Sequence, residues 1–244
     1  MTAVNDLAAA FEGPAIRRLR EDLALALRAA AHHGLAEGVC NHFSIALDGN
    51  EHFLLNPRGL LWSEVRADDI VLVDAFGVKV AGRHPVEPTA LFIHAAVHRV
   101  ANRRCVLHTH MPHATALTTT ESRGLDTRLL QTGMTFHGRV AVDTAYNGLA
   151  LDHGEGERIA RALGGKDVVF LGNHGVVVCG DRMDWAYSDL YYLERACQSQ
   201  VLAESTGRRL QPVPEAMARR VSEQAFGERL QSELFFEALR RTLP

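Results

Sequence analysis

Residues 105–110 read Cys-Val-Leu-His-Thr-His. Three apolar residues run into two histidines spaced two apart. In a strand, positions i and i+2 point to the same side of the sheet, so His108 and His110 can aim two imidazoles at one point. A third histidine, His174, stands in Asn173-His174-Gly175 between two further apolar runs, residues 168–171 and 176–179. Three convergent neutral imidazoles make an open metal site with room for a substrate. The plainer alternatives are a pair of half-buried strand-end histidines and a polar turn in which Gly175 permits a positive φ.

On either side of this stretch, helical and extended patterns alternate. Residues 14–33 place Ile16, Leu19, Leu23, Leu27 and Ala30 at helical spacing, and Gly34 stops the run. Residues 43–47 and 53–55 flank the turn residues 48–50 as a hairpin, and residues 70–73 and 78–80 form a second around Ala75-Phe76-Gly77. A helix is expected over 88–101, then the His108 strand. Pro112 suits the first turn of another helix, where its missing N–H costs nothing. Further on come a strand at 140–142, a helix at 155–163, strands at 168–171 and 176–179, and a long helix over 183–204 with Gly207 at its C-cap. The tail from 215 is helical. The pattern is one α/β domain of three layers, with a largely antiparallel central sheet flanked by helices. Its core spans about 14–206 and its helical tail about 212–244.

The bulk numbers set limits. The 244 residues, 47% hydrophobic, are enough for one substantial core, and the net charge is −3 with both signs spread along the chain. No basic block points to nucleic acid or a membrane surface. No apolar run is long enough to cross a bilayer, and residues 1–13 do not read as a signal peptide. The four cysteines, Cys40, Cys105, Cys179 and Cys197, are scattered and read as reduced thiols in a cytoplasmic protein.

The ordered set of segments resembles the class II aldolase/adducin head family. It runs through Gly38-Val39-Cys40-Asn41-His42-Phe43-Ser44, Leu55-Asn56-Pro57-Arg58-Gly59, Ile93-His94-Ala95-Ala96-Val97-His98, Val106-Leu107-His108-Thr109-His110 and Gly172-Asn173-His174-Gly175-Val176. The resemblance implies a divalent metal held by His108, His110 and His174. Zn suits three imidazoles best, and Mn, Co, Fe and Ni remain open. It also implies a glutamate that serves as ligand or acid/base. The nearby candidate is Glu87, although aligning on His94 puts Ala90 at the aldolase glutamate's place. The plainer role for Glu87 is a helix-start carboxylate favoured by the dipole.

The sugar-phosphate aldolases surround their phosphate with Gly-Asn, Thr-Gly and Ser-Ser pairs. Here the matching positions read Asn41-His42 and Arg58-Gly59, and no Ser-Ser pair precedes Glu87. Asn41, His42, Arg58 and Gly59 are therefore the expected substrate-binding residues, with Arg58 suited to a carboxylate. The expected reaction is carbon–carbon cleavage, of aldolase or decarboxylase type, through a metal-stabilised enolate. Its substrate would be a small hydroxy-carbonyl, oxo-acid or aromatic carboxylate. Two alternatives stand beside this lyase: a non-catalytic adducin-like binding module, and a metal-dependent oxygenase on the same three histidines. The family resemblance also implies a homotetramer.

His94 and His98 are four apart and share a helix face with Glu87. They read as packing residues or as partners that orient the ligands, with a rival metal site as the alternative. His113 and His137 are not expected to be ligands. Trp185, Tyr191 and Tyr192 sit at core spacing on the long helix.

Overall fold

The structure is a computed structural model that describes residues 10–47 and 49–243. Asp48 of the first expected turn, and residues 1–9 of the N-terminal reading, lie outside the described residues.

Eight strands form one sheet. They are β1 (His42–Ala46), β2 (His52–Leu55), β3 (Val71–Asp74), β4 (Lys79–Ala81), β5 (Cys105–Thr109), β6 (Val140–Asp143), β7 (Val168–Leu171) and β8 (Gly175–Gly180). Their order across the sheet is β4-β3-β2-β1-β5-β8-β7-β6. Every neighbouring pair is antiparallel except β6 and β7. That pair is joined by a crossover helix, as parallel neighbours require. The helices among the described residues are α1 (Pro14–His32), α2 (Pro88–Val100), α3 (Pro112–Thr118), α4 (Gln131–Met134), α5 (His153–Ala162), α6 (Met183–Ser205), α7 (Glu215–Gly227) and α8 (Leu230–Thr242). The two hairpins, the long helix and the helix between β6 and β7 agree with the sequence pattern within a residue or two. The expected single tail helix is two, divided at Glu228 and Arg229, and the single turn of α4 has no counterpart in the sequence reading.

Strand alternation sorts the core into two faces. Phe43, Ile45, Cys105, Leu107, Phe170, Val176 and Val178 pack with buried residues of α1, α3, α6 and α8. Val106, Val169, Leu171, Val177 and Cys179 meet Ile93, Ala96 and Val97 of α2 and Ile159 and Ala160 of α5. These are the three layers: helices, sheet, helices. Each fully buried Leu, Ile, Val or Phe side chain contributes roughly 1.5–3 kcal/mol, so the alternation leaves no freedom to slip by one residue. His42 and His108 are directly paired across β1 and β5, and His108 faces Val177 across β5 and β8. His108 therefore projects on the α2/α5 side, at the end of the three central strands.

Three helices start at prolines: Pro14, Pro88 and Pro112. Proline is pre-organised for a first turn and lacks only a donor that would go unused there. In α2 this fixes Glu87 at the N-cap, where its side chain makes no capping hydrogen bond.

Candidate metal centre

The three histidines converge. The rings of His108 and His110 have centroids 5.1 Å apart, and His174 lies 4.9 Å from each. One nitrogen from each ring falls within 4.8 Å of the others, and this is the one such group of potential ligands among the described residues. His94 and His98 do not form a second.

Local structure explains the convergence. His108 comes from β5. His110 lies just past its end, where the backbone N–H donates to Asn41 Oδ1 at 3.2 Å. His174 sits in the β7–β8 turn, which is anchored from both sides: Gly172 N–H donates to Asp143 O, and Arg123 donates to Asn173 Oδ1 at 2.9 Å. The left-handed residue of that turn is Asn173, at φ 56°, and not Gly175. Gly175 is needed for another reason: a Cβ there would stand 2.5 Å from Thr109 O and 2.8 Å from His110 Cδ2.

The protonation pattern suits ligation. His108 Nδ1–H donates to the Val176 carbonyl at 2.9 Å, which leaves Nε2 as a lone pair. His110 Nδ1–H donates to Glu37 Oε2 at 2.5 Å. His110 Nε2 is buried and without a hydrogen-bond partner. Burial holds His108 well below the ordinary histidine range, helped by His174 and His110. Burial and His110 push His174 down to about 4, against the opposing charges of Glu155 and Glu37. Both are neutral near pH 7, as metal coordination requires. An orphaned buried nitrogen among neutral rings fits a divalent ion.

All the site residues expected from the sequence line one cavity of about 410 Å³: Asn41, His42, Arg58, Gly59, Glu87, His108, His110 and His174. Its remaining wall is mostly apolar, from Val39, Ile93, Leu149 and Ala150. Arg58 Nε lies 2.7 Å from Glu87 Oε2, so the one arginine in the cavity is already paired. Arg58 N–H donates to Pro85 O at 2.9 Å, tying its loop to the segment that leads into Glu87. Burial, with His110, pushes His42 down to about 3. Gly59 adopts φ 87° and Asn41 φ 70°, both in the left-handed region that glycine and asparagine tolerate.

His94 and His98 sit behind this wall and share one partner. His98 Nδ1–H donates to Arg103 O at 2.6 Å, which leaves Nε2 to accept from Ser44 at 2.7 Å. Ser44 Oγ then accepts from His94 Nδ1 at 2.6 Å. The pair braces α2 against β1, as a packing role requires. His113 is held by the buried Glu194 carboxylate, and His137 by Thr127; neither lines the cavity. Trp185 and Tyr191 are half-buried on α6, and Tyr192 is exposed.

The sequence reading did not single out Glu37, nor Val39, Cys40, Leu149 and Ala150 of the wall. Glu37 lies on a turn between Gly34 and Gly38, with no periodicity to mark it.

Fold and site together define a class II aldolase-like protein with a three-histidine cluster at the sheet's end. The Class II Aldolase and Adducin N-terminal domain family matches residues 21–201, and the chain belongs to that family. A Pseudomonas aeruginosa protein with an aldolase class 2 name is 34% identical over 224 residues, covering 88% of this chain and 83% of its own. A Streptomyces roseochromogenus protein, named 4-hydroxy-3-prenylphenylpyruvate oxygenase/4-hydroxy-3-prenylbenzoate synthase, is 31% identical over 207 residues, covering 82% and 73%. Among solved structures, an aldolase II superfamily protein from Pseudomonas syringae superposes with a TM-score of 0.87 at 35% identity, covering 95% of this chain and 94% of that one. The L-fuculose 1-phosphate aldolase from Glaciozyma antarctica gives 0.81 at 26%, covering 97% and 96%.

Proposed function

We propose that this chain is a divalent-metal-dependent carbon–carbon lyase, of aldolase or decarboxylase type. Its substrate would be a small hydroxy-carbonyl, oxo-acid or aromatic carboxylate. One observation carries the reading: three imidazole nitrogens within 4.8 Å of one another, beside a carboxylate, in a largely apolar cavity. His108, His110 and His174 would hold the ion, and Zn suits the all-nitrogen set best. A bound divalent ion supplies Lewis acidity, which stabilises negative charge developing on a substrate oxygen.

The chain's own residues divide the remaining work. Glu87 moves a proton to or from the reacting carbon through its carboxylate oxygens. Arg58 keeps its Nη groups for a substrate carboxylate while its Nε holds Glu87. Neutral His42 offers an N–H to a substrate oxygen. Val39, Ile93, Leu149 and Ala150 exclude water and accept an apolar or aromatic group. Apart from the ion, a dianionic phosphate finds one cationic side chain in the cavity lining, Arg58, already paired with Glu87, which weighs against a sugar phosphate.

Two other readings have specific support. The Streptomyces relative's name favours an oxygenase, and the adducin membership of the family favours a binding module. One experiment separates the three. Protein purified without added metal is analysed for elements, then assayed on hydroxy acids, 2-oxo acids, aromatic carboxylates and phosphorylated sugars in an oxygen electrode. The lyase binds a divalent ion and cleaves a carboxylate substrate without taking up oxygen. Oxygen uptake would support the oxygenase. A strong preference for phosphorylated sugars overturns the substrate class. No ion bound, and none gained on titration, leaves the binding module.

The assembly we propose is a cytoplasmic homotetramer. Leu149 and Leu151, 69% and 62% exposed, lie at and near the cavity wall, where a neighbouring subunit would cover them. The four cysteines are free thiols, as a reducing compartment favours. No helix among the described residues is long and apolar enough to cross a membrane. A monomer in light scattering would contradict the assembly.

A further inference from the structure

We propose that Glu37 is the positioning residue of this metal centre: it orients His110 and sets how tightly the ion is held. The inference rests on the metal-centre reading above. Its geometric basis is the 2.5 Å contact between Glu37 Oε2 and His110 Nδ1.

A carboxylate can only accept there, so Nδ1 carries a proton, and the neutral ring that a metal requires then has its lone pair on Nε2. That second nitrogen is the buried, unpartnered atom facing His108 and His174. The bond therefore selects the one tautomer that can ligate. It also raises the donor strength of Nε2, because partial negative charge from the carboxylate spreads into the ring. His108 is fixed in the same sense, but by the neutral backbone carbonyl of Val176, which no side-chain change can remove. Glu37 is thus the anionic, adjustable partner of the ligand set.

The backbone around Glu37 is built to hold this pose. Cys40 N–H donates to Glu37 O at 2.9 Å and closes a tight turn, with Gly38 at φ 54°. Asn41, next in the chain, accepts the His110 backbone N–H on Oδ1. Residues 37–41 therefore grip His110 twice, once by its ring and once by its main chain. The Glu37 side chain is 59% exposed, so it is not there to fill the core. An exposed carboxylate–imidazole pair adds little to folding. Its effect falls on the ion instead, where losing such a partner typically weakens affinity by roughly 10–100-fold.

The test is a Co²⁺ titration of full-length wild type, Glu37→Gln and Glu37→Ala. The visible band is followed, and affinity is fixed by competition with a chelator. Glu37→Ala should weaken Co²⁺ binding by about 10–100-fold and shift the band at saturation. Glu37→Gln, which keeps an acceptor oxygen but no charge, should fall between it and wild type. The melting temperature of the metal-free variants should match that of wild type, because a purely structural role would move the melt and leave the band alone. Co²⁺ affinity of Glu37→Ala within twofold of wild type, with an unmoved band, overturns the proposal and leaves the metal centre standing. No Co²⁺ uptake by wild type overturns both.

Discussion

Arg58 Nε and Glu87 Oε2 stand 2.7 Å apart in the cavity wall, with the arginine 57% exposed and the glutamate 25%. Such a pair in contact with solvent is worth about 0–1 kcal/mol to folding. Its value lies in placing a carboxylate and a guanidinium in one cavity with three imidazoles. Glu87→Gln should therefore leave the melting temperature nearly unchanged while lowering kcat by roughly 10²–10⁴-fold, the usual contribution of a positioned acid or base. Arg58→Ala should raise KM for a carboxylate substrate more than it lowers kcat. Steady-state kinetics with parallel thermal melts check both. Unchanged kcat in Glu87→Gln would return that residue to the role of a helix-start carboxylate.

Stripping the ion should have a separable effect. An ion that binds only the folded chain stabilises it by about 2.7 kcal/mol at a hundredfold excess over Kd. For a chain of this size that corresponds to roughly 5–10 °C in Tm. Chelator treatment should lower Tm by that amount and abolish turnover, and adding the ion back should restore both. His174→Ala should show the low Tm whether or not metal is present. Differential scanning fluorimetry with and without Zn²⁺ is sufficient.

The parts of this site that were legible in the sequence are those with short-range signatures. His108 and His110 are two apart at the end of an apolar run, so strand geometry alone aligns them. The alternation in residues 43–46 and 105–108 assigns each side chain to a face of the sheet before any contact is known. Pro88 marks where α2 begins and so where Glu87 must sit. The ion pair with Arg58 and the Glu37–His110 bond were not legible. The latter spans 73 residues of sequence and joins a turn with no periodic pattern to a strand end. The β7–β8 turn shows a different failure. Gly175 looks like the left-handed residue, yet the crowding of β8 against Thr109 and His110 is what demands glycine there, and Asn173 takes the positive φ.

Ser44 serves two buried imidazoles, those of His94 and His98, and all three side chains are shut off from solvent. Ser44→Ala removes one hydroxyl and leaves two ring nitrogens without a partner. Each unsatisfied buried group costs about 1–3 kcal/mol. If one of the two finds no replacement, Tm should drop by roughly 2–12 °C. Metal affinity should change little, because neither histidine is a ligand. A Ser44→Ala melt equal to wild type would mean the bridge carries no stability.

The same buried histidines set an acid limit on the metal-free fold. Burial pushes His98 down to about 4, against the raising effect of the Arg103 carbonyl, and holds His94 well below the ordinary range near 6.5. Between the folded and unfolded values the unfolded chain binds more protons, so stability rises with pH across that window. The contribution is intact above pH 6.5 and lost as pH falls toward 4. For His98 alone the full span is about 3 kcal/mol. Metal-free Tm should fall steadily below pH 6.5, and His98→Gln should flatten that slope while lowering Tm at pH 7. A flat profile from pH 7 to 5 would show that these rings are not buried in the neutral state.

Gly175 gives the sharpest geometric test. An added methyl would meet Thr109 O at 2.5 Å and His110 Cδ2 at 2.8 Å. The imidazole can swing away, but the carbonyl belongs to the β5–β8 ladder, where Thr109 pairs with Val176. Relief must come from opening that ladder or turning His110 out of its ligating pose. Overpacking of this kind costs about 1–3 kcal/mol. Because the crowded atoms belong to the site, the loss should also appear in the ion: Gly175→Ala should bind Zn²⁺ at least about tenfold more weakly, the lower end for a disturbed ligand environment. Competition with a chelator measures it. Wild-type affinity in Gly175→Ala would mean that β8 does not press on His110 as described, and the reason given for glycine at this position would be wrong.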